Sequence, residues 1–61
     1  MSWTIYFTLL DGTKKHIVYI RLKYALDQFY YYKTKSHNYK TITLKNDWGF
    51  VHSTHEFIEN E

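Results

Sequence analysis

Cysteine is absent from this chain, which removes both a disulfide framework and a thiolate metal site from the ways it could be held together. Proline is absent too, and the only glycines are Gly12 and Gly49. No Gly-rich phosphate-binding loop can be built from two such distant glycines. No apolar stretch approaches the ~18 residues of a membrane span. The start, Met1-Ser2-Trp3, lacks the basic segment and apolar run of a secretory leader. With cysteine missing as well, a reducing cytoplasmic setting is the expectation. Extreme charge is also lacking, since the formal net charge is only +2. Together with the many aromatic and β-branched residues, that argues against a disordered chain.

Aromatic residues are abundant. Seven Tyr, four Phe and two Trp make up 21% of the 61 residues. A chain of this length is one domain at most and buries only about 60% of the surface its unfolded form exposes. Large rings are therefore its main source of burial, each capable of hiding ~150–250 Å². Rings in excess of the core need a partner, or a second copy in a homodimer, to cover them. The charge is unevenly spread. Residues 1–45 hold all eight Lys and Arg against Asp11 and Asp27, a balance of +6, whereas residues 46–61 hold Asp47, Glu56, Glu59 and Glu61, a balance of −4.

Residues 2–10 open with strict alternation. Trp3, Ile5, Phe7 and Leu9 take one face and Ser2, Thr4, Tyr6 and Thr8 the other, the pattern of a half-buried strand. Asp11-Gly12 then signals a hairpin, and residues 14–20 form the returning strand. With Asp11-Gly12 as a two-residue loop, Trp3 faces Ile20, Ile5 faces Val18 and Phe7 faces His16 on the core side. Thr4, Tyr6 and Thr8 then face Tyr19, Ile17 and Lys15 on the outer side. Over residues 21–34 the period changes, and Leu22, Ala25, Leu26, Phe29 and Tyr32 or Lys33 form a helical stripe. Lys33 and Lys35 suit the negative end of the helix dipole. Lys35-Ser36-His37-Asn38 reads as a loop. Residues 39–45 alternate again with Ile42 and Leu44 inward, Asn46-Asp47-Trp48-Gly49 is a four-residue turn, and Phe50-Val51-His52 returns. Beyond it two readings stand: Ser53 and Glu56 as a capping box starting a helical turn through Phe57 and Ile58, or a turn followed by a short strand at Glu56 to Ile58. The expected fold is α+β, a small antiparallel sheet of two hairpins in ββαββ order with one helix on one face and a short C-terminal element.

Catalytic constellations are scarce. His52, His55 and Glu56 form a His-x-x-His-Glu cluster, but the order matches no zinc-protease motif, and solvated histidines with a capping Glu explain it. His16 and His37 read as surface residues. Ser2, Ser36 and Ser53 lie in no nucleophile motif. Asp11 and Asp47 serve turns, and Asp27 lies on a solvated helix face. No enzyme activity, metal or cofactor is expected.

Binding is better served. Tyr, Trp and Arg anchor protein interfaces because they bury large areas at low entropic cost. Tyr6 and Tyr19 on the outer sheet face, Tyr24 and Tyr31 together on the helix, and Trp48 at a turn tip are the candidate protein-binding residues. The alternative is a single-stranded nucleic-acid module in which tyrosines stack on bases and Lys14, Lys15, Arg21, Lys23, Lys33 and Lys35 neutralise phosphates. The acidic tail, the small net charge and the lack of an RNP or Gly-x-x-Gly motif favour a protein partner. No family motif is present. The Lys-, Asn-, Tyr- and Ile-rich usage resembles that of small proteins from AT-rich bacterial or bacteriophage genomes, a resemblance that implies binding and blocking a larger host or competitor protein.

Overall fold

A computed structural model describes residues 2–35 and 38–57. Its elements run β1 (Trp3–Leu9), β2 (Lys14–Tyr19), α1 (Leu22–Lys35), β3 (Tyr39–Asn46) and β4 (Val51–Glu56). The four strands form one antiparallel, open sheet in the order β2-β1-β3-β4, with α1 on one face. This is the ββαββ α+β architecture that the alternating and helical periods predict. The expected helical stripe is the one that faces the sheet. Ala25 and Phe29 are buried, and Leu22, Leu26 and Tyr32 pack partly buried against the same core.

The core is small. Ile5 and Phe7 from β1, Ile42 and Leu44 from β3, and Ala25 and Phe29 from α1 are its buried apolar residues. Ile5 stands directly opposite Leu44, and Phe7 opposite Ile42. At one side Phe7 meets the rings of Tyr32 and Tyr39, each at 4.8 Å between centroids. Edge-to-face and tilted packing of this kind adds to simple area burial.

Both hairpins close with the same three-residue loop. In the first, Gly12 N–H donates to Leu9 C=O (3.0 Å) and Leu9 N–H to Thr13 C=O (2.8 Å). In the second, Gly49 N–H donates to Asn46 C=O (3.1 Å) and Asn46 N–H to Phe50 C=O (3.0 Å). Each loop ends on a glycine with positive φ, 92° at Gly12 and 87° at Gly49. That is a turn followed by a glycine bulge. Side chains complete both loops. Thr13 N–H donates to the Asp11 carboxylate at 2.9 Å, and Trp48 and Phe50 N–H donate to the Asn46 side-chain Oδ1 at 2.9 and 2.8 Å.

The first loop corrects the expected pairing of β1 and β2. Trp3 stands opposite Tyr19, Ile5 opposite Ile17, Tyr6 opposite His16 and Phe7 opposite Lys15. Each position of β2 is thus displaced by one residue, and its faces exchange. Lys15, Ile17 and Tyr19 turn to the helix side, and Lys14, His16 and Val18 to the uncovered side. The cause is the loop's third residue, Leu10. A two-residue type I′ turn would force positive φ on Asp11 as well as on a glycine, whereas the longer loop needs it at Gly12 alone. Among the described residues only glycines adopt positive φ. The exchange also lets Tyr19, rather than His16, pack on the core.

Neither C-terminal alternative is what the described residues show: β4 runs on unbroken as Val51–Glu56, with no turn before Glu56. Ser53–Glu56 continues β4 and starts no helical turn. A bulge interrupts the β3–β4 ladder between Leu44 and Lys45. Part of the 35–38 loop, at Ser36 and His37, and the segment from Ile58 lie outside the described residues. A methyl group at either loop glycine would meet nothing within 4 Å, so only the backbone conformation opposes it. Gly12→Ala and Gly49→Ala are each expected to lower stability by about 1–2 kcal/mol, read from denaturant midpoints, with Asn costing less at either position.

Candidate functional site

The topology brings five chain ends to one end of the sheet: the start of β1, the end of β2, the start of α1, the end of β3 and the start of β4. Asp47 N–H donates to Ser2 C=O at 3.1 Å, which ties the second loop to the start of the chain. Large apolar side chains stay in solvent at this end. Ile20 and Trp48 are each 83% exposed, Phe50 63%, Tyr24 59% and Val18 56%. Trp3 lies among them but is half-buried, its ring edge-on to His52 at 5.7 Å.

A shallow groove of about 670 Å³ opens between the end of β2 and the first turns of α1. Val18, Tyr19, Ile20, Arg21, Tyr24 and Gln28 line it. Helical spacing places Tyr24, Gln28, Tyr31 and Lys35 on the flank of α1 that borders β2. Burial, and then the neighbouring Tyr32, hold the Tyr19 hydroxyl above the usual tyrosine pKa. At the far end of β2, the Thr13 N–H hydrogen bond holds the Asp11 carboxyl below the usual aspartate value.

The five tyrosine and tryptophan candidates do not share one surface. Tyr19 and Tyr24 meet at the groove, and Tyr31 lies one helical repeat further along the same flank. Trp48 projects from the second loop at the same end of the sheet. Tyr6 sits apart on the uncovered sheet face, with the His16 ring at 5.9 Å and the Lys45 ammonium at 5.4 Å from its centroid. The expected grouping of Tyr6, Tyr19 and Lys15 on an outer face is therefore overturned by the one-residue displacement of β2. The six cations divide as well. Arg21 lines the groove, Lys15 turns to the helix side of β2 and Lys14 to the uncovered side, whereas helical spacing puts Lys35 on the Tyr24 flank of α1 and turns Lys23 and Lys33 away from it.

Sequence reasoning missed Ile20, Phe50 and Val18. A two-residue loop puts Ile20 opposite Trp3 and Val18 opposite Ile5 on the core side, and the three-residue loop removes both. Phe50 follows a loop glycine, a position that gave no signal of its own. The His-x-x-His-Glu cluster does not converge. His52 turns to Trp3 and, through Nδ1, to Ser53 Oγ at 2.8 Å. His55 meets Phe57 edge-on at 4.7 Å. Glu56 stands opposite Thr41 on the other face. Among the described residues no three His, Cys, Asp or Glu side chains form a metal-holding group. No helix among them is long and apolar enough to cross a membrane.

The raised Tyr19 pKa carries a sign. The neutral phenol is the form the fold favours, so its contribution to stability is complete below the unfolded tyrosine pKa and is lost as pH rises through the higher folded value. Alkaline titration followed by ultraviolet absorbance should show one late-ionising tyrosine, and Tyr19→Phe should remove that step. Comparison with known protein families, with characterised proteins and with solved structures finds no match to this chain.

Proposed function

We propose that this chain is a small non-enzymatic binding protein, a stoichiometric regulator or inhibitor that docks on a partner protein through its apolar, aromatic end. One observation carries the reading: of the eight large apolar residues more than half exposed among the described residues, Ile20, Trp48, Phe50, Tyr24 and Val18 collect at a single end, with Leu10, Tyr30 and Tyr31 elsewhere, while six described residues form the buried apolar core. Scattered exposed apolar residues are ordinary, but an apolar cluster rimmed by polar groups marks an interaction surface. Trp and Tyr at such a place bury much area with few rotatable bonds. The groove supports binding rather than turnover. Its described lining offers no carboxylate or histidine to move a proton. The bacteriophage-like residue usage fits a protein that blocks a larger one.

The nucleic-acid alternative draws on a different observation, the pairing of Arg21 with Tyr19 and Tyr24 in the groove wall. It predicts saturable oligonucleotide binding at low salt that collapses at high salt. The protein-binding reading predicts capture of one partner in fixed ratio by the immobilised chain. Trp48→Ala should leave the circular dichroism spectrum and melting temperature nearly unchanged, because the ring is 83% exposed. The same substitution should weaken capture by roughly tenfold or more, as loss of a central aromatic anchor does. Unchanged capture would refute Trp48 as an anchor, and unfolding would assign the ring to the core.

A further inference from the structure

β2 is an edge strand, and its hydrogen-bonding pattern fixes which backbone groups it leaves free. The Leu9–Thr13 hydrogen bond sets the phase of the antiparallel ladder. Alternation then makes Phe7/Lys15, Ile5/Ile17 and Trp3/Tyr19 the hydrogen-bonded pairs. The N–H and C=O groups of Lys14, His16 and Val18 point the other way, along an edge that no strand covers among the described residues. Beside that edge lies the groove between β2 and α1. A strand added there would run about 4.8 Å beyond β2. Its alternate side chains would reach the half-exposed Ile17 and the ring of Tyr24 on the helix side, and His16 and Val18 on the other.

Charge selects the occupant. Lys14 and Lys15 stand at one end of the edge, where the Asp11 carboxylate offsets part of their charge. Lys35 ends α1 on the same side, since Tyr32 packs on Phe7, the residue opposite Lys15. Arg21 stands at the other end. Helical spacing turns Asp27, the one acidic residue of α1, onto its solvent face and away from the groove. Lysines on an exposed edge oppose pairing with an identical edge. They favour a strand of opposite sign, by complementarity that both steers and orients it.

We infer that the β2 edge and the adjoining groove accept an extended segment of a partner protein, alternating acidic and apolar residues, as an added strand. This rests on the protein-binding reading above and specifies how the partner is held. Main-chain hydrogen bonds to His16 and Val18 supply affinity, and the groove and its cations supply selectivity.

The test displays two peptide libraries to the immobilised full chain. Both alternate a charged with a random apolar position, one carrying Glu and the other Lys at the charged sites. Enrichment from the Glu library alone is expected. Bound peptide should slow amide hydrogen exchange at His16 and Val18 at least tenfold, and 0.5 M salt should weaken binding at least tenfold. Val18→Pro deletes an outward N–H without touching the ladder to β1, a substitution edge strands tolerate. It should abolish peptide capture, while Lys40→Ala, on β3 two strands away, leaves it within twofold. The exchange measurement on the unaltered chain decides the matter if the proline variant does not fold. Enrichment from the Lys library, or from neither, overturns the inference. So does protection of His16 and Val18 without peptide in a sedimenting dimer, or upon adding a poly-dT oligonucleotide. Peptide that protects only the Trp48–Val51 region also overturns it, yet leaves the protein-binding reading standing. Partner capture unchanged by both Val18→Pro and Trp48→Ala refutes the two together.

Discussion

The pairing of β1 with β3 is the interaction on which the rest of the molecule depends. These strands are not neighbours in sequence, yet they hold the centre of the sheet and supply four of the six buried apolar residues among those described. Ile5 against Leu44 and Phe7 against Ile42 form a double row that Ala25 and Phe29 close from above. Alanine at position 25 lets the helix come close to that row, and Phe29 fills the space beyond it. The outer strands hang on this centre without adding a buried residue of their own. So lean a core leaves Ile20, Trp48, Phe50 and Tyr24 in solvent, and their collection at one end follows from where the five chain ends meet.

Most of the fold was legible because its periods are clean. Alternation in Trp3–Leu9 and Tyr39–Lys45 marked the central strands and the correct inward residues. The 3.6-residue stripe from Leu22 to Tyr32 marked the helix although no capping residue announces its start. Asp47 and Gly49 marked the second turn, although the Asn46 side chain is the one that accepts its backbone N–H groups. The first hairpin misled for a physical reason. Asp-Gly suits both a two-residue and a three-residue loop, and the choice depends on the cost of positive φ at Asp11 against that of one more loop residue. Ile17, Val18, Tyr19 and Ile20 are all apolar, so no alternation in β2 could report which face was which.

The candidate site was legible only in part. The excess of rings over available core is a matter of chain length and was visible from composition. Their distribution was not. Tyr19 and Tyr24 meet only because β2 ends where α1 begins, and Ile20 joins them only because the register leaves it past the end of the strand. Tyr6 falls away from the group by the same rule of alternation that placed it correctly on the uncovered face. Local pattern thus fixes which side of an element a residue takes. The assembly of several elements at one end is a property of topology.

The strand order has a consequence for how the molecule comes into being. An emerging chain can close its first hairpin and wind its helix early, since those contacts are local. Neither has a row of side chains to settle on until β3 arrives beside β1, with a whole helix lying between them in sequence. The barrier to folding is then set by closing that long loop rather than by forming any single element. Until it closes, Ile5 and Phe7 stand open to water in a nascent polypeptide, and the loops that look incidental in the finished protein are what keep its two halves ready to meet.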